Sequence, residues 1–375
     1  MKKALIISNT AGLITDFLEN DLEILKNKGY DVDCACNTKF TGKNTQDFFE
    51  KFNIKVFHVD FPIRNLEIKS IIKSYKQIKE ILKNNYSVVH CHSTIAATIG
   101  RQCTKKYRKT GTKVIYTSHG FPFYEGNNSI KAKIFYQIEK YYSKYTDAII
   151  TICNEDYKNA LNMKCKNVFF MHGVGVNIES IANQNINVEL YRKKLGLSPE
   201  DKVILSIGEL NTNKNHQIII KSIAELNDSN IIYIICGREV TEKGKKEELQ
   251  NLADSLKVRL KFLGYRNDIA EICNVSDIGA IPSYKEGLGL SGIEMLAAGI
   301  PVVGSNRQGI KDYIKDGNTG YLADPDDVSS FEKAIDETLA LKMNKNTRKK
   351  CIDMAKKFNV NQAYNVILNA YNKIL

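Results

Sequence analysis

The sequence predicts two doubly wound α/β domains in tandem, each a parallel sheet with helices on both faces, opening onto one cleft between them. Three observations carry this expectation. The chain has 375 residues, more than one ordinary core organises and natural for two domains of roughly 150 to 200 residues. Short apolar runs alternate with longer amphipathic stretches along its length, the pattern of strands joined by crossover helices. The alternation also restarts after a polar, asparagine-rich connection at 177–187. The expected domains are 1–185 and 186–358.

The first apolar run, within Met1-Lys-Lys-Ala-Leu-Ile-Ile-Ser-Asn, is too short before Ser8 for a signal peptide core and reads as a buried strand at 4–8. Further strands are expected at 31–35, 55–59, 87–92, 113–118, 148–152 and 167–171, with amphipathic helices at 16–27, 68–84 and 95–107. In the second half, strands are expected at 202–208, 231–236, 259–263, 277–282 and 302–305, with helices at 216–226, 246–256, 289–298 and 329–341. Ligands of such sheets bind beyond the carboxyl ends of the strands.

Composition narrows the function. No apolar run approaches the roughly 20 residues that span a bilayer. Nine cysteines, odd in number and scattered, read as reduced thiols of a cytosolic protein. No Asp-x-Asp pair is expected beside a plausible phosphate site and no close His and carboxylate ligand set is read, so no metal is expected. Of the net charge of +12, residues 1–180 carry +10. Two segments concentrate it, 69–83 with lysines in helical register and 130–145 with lysines among tyrosines. A basic aromatic helix suits an anionic membrane surface. A solvated lysine face is the alternative, left open for the second segment and preferred for the first. Nucleic acid is disfavoured, because no motif for it appears.

The densest signal is Ser283-Tyr-Lys-Glu-Gly-Leu-Gly-Leu-Ser-Gly-Ile-Glu294. A strand, a glycine turn and a helix follow one another there, which puts the backbone N–H groups of Gly287, Leu288, Gly289 and Leu290 at a helix N-terminus, a seat for phosphate. Glu286 on the turn faces sugar hydroxyls, and Glu294, about two helical turns on, reaches a ribose diol. Lys214, in Gly208-Glu209-Leu-Asn-Thr-Asn-Lys214-Asn215-His216, brings an ammonium to a diphosphate, with Arg238 and Arg307 at neighbouring strand ends. In the first half, Asn9 and Gly12 follow the first strand, where a backbone can approach a ligand closely. His92 ends the fourth strand, and His119-Gly-Phe121-Pro-Phe-Tyr124 follows the fifth. Imidazoles there donate to sugar or phosphate oxygens, or accept a hydroxyl proton. The rings of Phe121 and Tyr124 are candidates to stack on a sugar.

Gly208 with Lys214-Asn-His216, Phe262-Leu-Gly264, Glu286-x7-Glu294 and the following Gly-Ile-Pro-Val-Val together resemble the retaining family 4 glycosyltransferases of the two-domain, Rossmann-like GT-B fold. The His119-Gly-Phe loop, Asn154-Glu-Asp and Gly173-Val-Gly-Val-Asn177 resemble the bacterial capsule and exopolysaccharide branch. The resemblance implies a nucleotide-sugar donor, in the first place a UDP-sugar as substrate with no cofactor. It implies a catalytic set of His119, Lys214 and Glu286, donor contacts from Gly12, Gly208, Glu209, Lys214, Asn215, Arg238, Glu286 and Glu294, and acceptor-side contacts from Asn9, His92, Phe121, Tyr124 and Asn154. It also implies that a last helix, 359–375, crosses back to the first domain. The departure is Glu209, where the wider family usually has an arginine for the diphosphate; Arg238 or Arg307 is the expected substitute. The expected activity is metal-independent retaining transfer of a hexose or N-acetylhexosamine to a lipid-linked saccharide, in the cytoplasm or peripherally on the inner membrane face. A UDP-sugar 2-epimerase of the same fold and a non-catalytic nucleotide-binding protein are the alternatives.

Overall fold

The computed structural model describes residues 2–42, 44–63, 67–184 and 186–375, and the chain forms two compact units, Met1–Gly175 with Asn361–Leu375, and Val176–Val360. The first unit holds a seven-stranded sheet in the order β3-β2-β1-β4-β5-β6-β7. Its strands are β1 (Lys2–Thr10), β2 (Tyr30–Asn37), β3 (Lys55–His58), β4 (Val88–His92), β5 (Lys113–Ser118), β6 (Ala148–Thr151) and β7 (Val168–Phe170). All pairings are parallel. Ala4 to Ile7 on β1 are fully buried on both faces, as the unbroken apolar run requires of a central strand. The strand order reverses between β1 and β4, so the ligand crevice of this unit lies beyond the ends of those two strands.

The second unit holds a six-stranded parallel sheet in the order β10-β9-β8-β11-β12-β13. Its strands are β8 (Lys202–Ile207), β9 (Ile231–Cys236), β10 (Arg259–Gly264), β11 (Ile278–Ile281), β12 (Val302–Ser305) and β13 (Gly320–Ala323). The order reverses between β8 and β11. A core of Ile204, Tyr233, Ile235, Ile278 and Val303 packs beneath the helices His216–Leu226 and Val328–Lys342.

Several expectations change. The strand β13 was not anticipated: Gly320-Tyr-Leu-Ala is short and follows a glycine-rich turn, and it is fixed by pairing with β12. The single helix expected at 16–27 is two, Ala11–Phe17 and Glu19–Asn27, parted at Leu18. The first starts early because the Thr10 side chain accepts from the Leu13 N–H, an N-cap that the search for apolar periodicity passes over. The helix expected from 289 begins at Leu290, since Gly289 has φ +81° and caps it. The units part at Gly175 and Val176, not at 185, which itself lies outside the described residues. Val176 N donates to Phe358 O at 2.9 Å and Val360 N to Val176 O at 3.2 Å, which binds the connection to the second unit. The last helix, Val360–Ile374, belongs from Asn361 onward to the first unit. All nine cysteines are free and buried, and burial pushes the Cys36 thiol up to about 12.

Candidate active site

In the second unit, the carboxyl end of β8 runs into Gly208, and the Lys214 side chain lies over it. A Cβ on Gly208 would stand 3.0 Å from Lys214 Cε, so the glycine is what lets the lysine fold back across the strand end. Lys214 closes a short 3-10 turn whose Asn211 side chain accepts from the Lys214 N–H. Its ammonium meets Glu286 Oε1 at 2.5 Å, and Ser283 Oγ donates to the same oxygen at 2.9 Å. The expected cation and carboxylate are thus brought together, and Ser283 joins them, a partner inside the quoted motif that sequence reasoning did not single out.

The turn Glu286 to Gly289 opens the helix Leu290–Ala297, whose first N–H groups receive no side-chain cap. Such a terminus attracts anions. Leu288 is buried, so the turn offers its backbone. Glu294, half-buried on that helix, has its carboxyl pushed by burial from 4.5 to about 7. Because its folded pKa lies above the unfolded one, its contribution to stability is full below about 4.5 and is lost as pH rises through 7. Glu294→Gln is therefore expected to stabilise the fold at pH 8 by an upper bound of about 3 kcal/mol, seen as a higher melting temperature, while lowering nucleotide affinity. Thermal shifts with and without nucleotide at pH 6 and 8 check both.

Other expected donor contacts need correction. Asn215 is buried with φ +50°, and its Nδ2 donates to Pro325 O at 2.9 Å, which makes it a structural corner. Glu209 Oε1 accepts from the backbone and hydroxyl of Thr241 and thereby fixes the loop after β9. Arg238 is exposed over the Tyr265 ring at 5.1 Å. Arg307 pairs with Asp324 at 3.3 Å and Asp326 at 3.5 Å. Of the two arginines, Arg238 is the one outside a salt bridge among the described residues.

In the first unit, the strand ends gather three histidines. His90 Nε2 contacts Thr117 Oγ1 at 2.8 Å, and its Nδ1 contacts Tyr371 OH at 2.7 Å and Asp21 Oδ1 at 3.1 Å. The His92 ring lies 4.1 Å from His90, and His92 Nδ1 meets His119 Nε2 at 3.1 Å. Asp21 and Tyr371 were not anticipated, because positions so far apart in sequence give no spacing to read. Ligand atoms of Asp21, His90 and His92 lie within 4.8 Å of one another, so the expectation of no close His and carboxylate set fails. Both His90 nitrogens are already engaged with protein groups.

Burial drives His119 down to about 4 and His92 well below the usual imidazole value, so both are neutral near pH 7. His92 Nε2 is buried without a partner. A proton there would be an orphaned donor, which is costly, so the proton sits on Nδ1 and donates to His119 Nε2. His119 then carries its own proton on Nδ1 and acts as a hydrogen-bond donor, not as a base. Accordingly His119→Gln, which keeps an N–H, is expected to retain about tenfold more activity than His119→Ala, as steady-state rates would show.

The remaining first-unit residues divide. Gly12 is approached by the chain's own backbone: its N–H donates to Phe40 O at 2.9 Å, and a Cβ would stand 3.0 Å from Gly42 N. Asn9 Oδ1 accepts from Ala96 N at 3.0 Å and so caps a helix. Phe121 is fully buried and stacked on Phe123 at 4.7 Å, so it cannot stack on a sugar. Tyr124 lines a cavity of about 450 Å³ with Lys133, Gln137 and Asn159, and Asn154 is exposed at the start of the helix Asn154–Leu161.

Two doubly wound parallel-sheet units, one presenting a lysine–glutamate pair at a glycine turn and the other a histidine cluster, have the two-domain α/β architecture of the GT-B fold. Among solved structures, Anabaena HepE in complex with UDP is similar at a TM-score of 0.76 and 17% identity, with all of each chain covered. WaaG, a glycosyltransferase of lipopolysaccharide biosynthesis, is similar at 0.71 and 16%, with 99% of each chain covered. The family described as Glycosyl transferases group 1 matches residues 187–358, and the family described as Glycosyl transferase 4-like matches residues 6–153. EpsD of Bacillus subtilis (strain 168) is 30% identical over 321 residues, 83% of this chain and 81% of its own. The UDP-Gal:α-D-GlcNAc-diphosphoundecaprenol α-1,3-galactosyltransferase of Escherichia coli is 29% identical over 349 residues, 89% of this chain and 87% of its own. The chain belongs to the family 4 glycosyltransferases.

Proposed function

We propose that this chain transfers a hexose or N-acetylhexosamine from a UDP-sugar, with retention of configuration, to a lipid-linked saccharide in capsule or exopolysaccharide synthesis. The observation that carries the reading is the contact of Lys214 with Glu286 over Gly208, beside an uncapped helix N-terminus and eight residues before Glu294. The E. coli relative is named for a UDP-galactose donor and a diphosphoundecaprenol-linked acceptor, and HepE binds UDP; both favour the same chemistry here.

On donor binding, the diphosphate draws Lys214 from Glu286, and Glu286 turns to the sugar hydroxyls while Glu294 takes the ribose diol. The bond from the anomeric carbon to the phosphate oxygen then breaks, and the acceptor oxygen bonds to that carbon on the same face. The acceptor's hydroxyl proton passes to the departing phosphate oxygen. Lys214 and the helix N–H groups stabilise the charge that develops on that phosphate, so the reading needs no metal ion. No helix among the described residues is long and apolar enough to cross a membrane. The first unit carries exposed Ile68 and Ile72 beside Lys69 and Lys73, and exposed Ile130 and Ile134 beside Lys131 and Lys133. These suit peripheral contact with an anionic bilayer. NMR of the product tests the stereochemistry: an α-linked product from an α-linked UDP-sugar supports retention, and a β-linked product overturns it.

A further inference from the structure

Tyr313 has so far been given no role. It ends the short helix Ile310–Tyr313, is fully buried, and its hydroxyl has no hydrogen-bond partner among the described residues. A buried hydroxyl left unpaired loses its hydration for no return, and such a group in a folded protein asks for a reason. Its place supplies one. A Cβ on Gly292 would stand 2.4 Å from the Tyr313 hydroxyl oxygen, and a Cβ on Gly289 3.1 Å from it. The ring therefore fits because position 292 is glycine, with Gly289 leaving it little room to spare, and it reaches beneath the first turn of the helix Leu290–Ala297. Glu286 Cγ lies 3.6 Å from the same Gly289 Cβ position, so the tyrosine hydroxyl and the Glu286 side chain flank one glycine. The two segments are also joined by the Gly309 N–H, which donates to Glu286 O at 3.3 Å. Burial, and after it the Glu286 charge, push the phenol well above the usual tyrosine value, so the hydroxyl stays protonated and can donate.

In this structure Glu286 Oε1 accepts from Lys214 and Ser283. We propose that Tyr313 is a positioning residue of the donor site: when a diphosphate draws Lys214 away, the Tyr313 hydroxyl donates to the Glu286 carboxylate and holds it against the donor sugar. The inference rests on the reading of this turn as the nucleotide-sugar seat. It explains why a buried hydroxyl stands unpaired here, where phenylalanine would fill the same space.

The test is Tyr313→Phe, measured for melting temperature and for steady-state transfer with a UDP-sugar, alone and combined with Glu286→Ala. The expected result is an unchanged or higher melting temperature, a loss of roughly tenfold or more in kcat, and no further loss when the change is made in Glu286→Ala. A merely structural tyrosine would lower the melting temperature and would reduce activity by the same factor in both backgrounds; that outcome overturns the proposal, as does wild-type kcat in Tyr313→Phe. A wild-type chain without any UDP-sugar transfer would instead overturn the functional reading, and it is seen before any variant is made.

Discussion

Lys214→Ala is expected to lower the rate of sugar transfer by about 10² to 10³, with a much smaller change in stability. That factor, about 2.7 to 4 kcal/mol, is what removal of one preorganised charge or donor from a transition state typically costs. The lysine is suited to the part because its ammonium is held before substrate arrives, by Glu286 at 2.5 Å and by its fit over Gly208. Exchanging one anionic partner for another costs less than recruiting a free, solvated lysine. Lys214→Arg is expected to recover little, because a broad, planar guanidinium does not reproduce the compact ammonium that meets Glu286 at 2.5 Å. Steady-state kinetics and urea unfolding on the same preparations separate the two effects.

Glu139→Ala is expected to destabilise the first unit by about 3 to 5 kcal/mol. Arg101 and Glu139, on the helices Thr94–Arg108 and Ile130–Ser143, form a fully buried ion pair at 2.7 Å. The guanidinium lies 4.2 Å from the Tyr116 ring on β5, and its Nε donates to Ala97 O at 3.1 Å. Removing the carboxylate leaves a charge in the core with no counter-charge, while the desolvation already suffered by Arg101 remains. Replacing both residues, as in Arg101→Met with Glu139→Leu, is expected to regain most of the loss, since apolar packing avoids desolvating either charge. Urea denaturation followed on the transition of the first unit measures each step.

Much of the fold was legible in the sequence because it is built of parallel strands buried on both faces. Runs such as Lys202-Val-Ile-Leu-Ser-Ile and Ile231-Ile-Tyr-Ile-Ile-Cys admit few other readings. What was missed depends on tertiary pairing or on caps. The strand β13 is too short to show a period, and Leu18 parts two helices whose apolar faces run on as one. The geometry of the turn from Glu286 to Gly289 was legible for a related reason: glycines, strand end and carboxylates are consecutive in the chain, so local chemistry dictates local geometry. The histidine cluster was only half legible. His92 and His119 sit at strand ends, but Asp21 and Tyr371, which fix His90, arrive from the second and the last helices of the first unit. Phe121 and Asn215 were misjudged because sequence gives the residue type at a strand end without the direction of its side chain.

The measurement that tests the central claim most directly is transfer assayed by mass spectrometry, with UDP-glucose, UDP-galactose and UDP-N-acetylglucosamine as donors and diphosphoundecaprenol-linked N-acetylglucosamine as acceptor. The account predicts an acceptor heavier by one sugar residue, UDP released one for one with product, and loss of both in Lys214→Ala. Conversion of the donor sugar without any acceptor, or no reaction and no binding with every UDP-sugar, would contradict it.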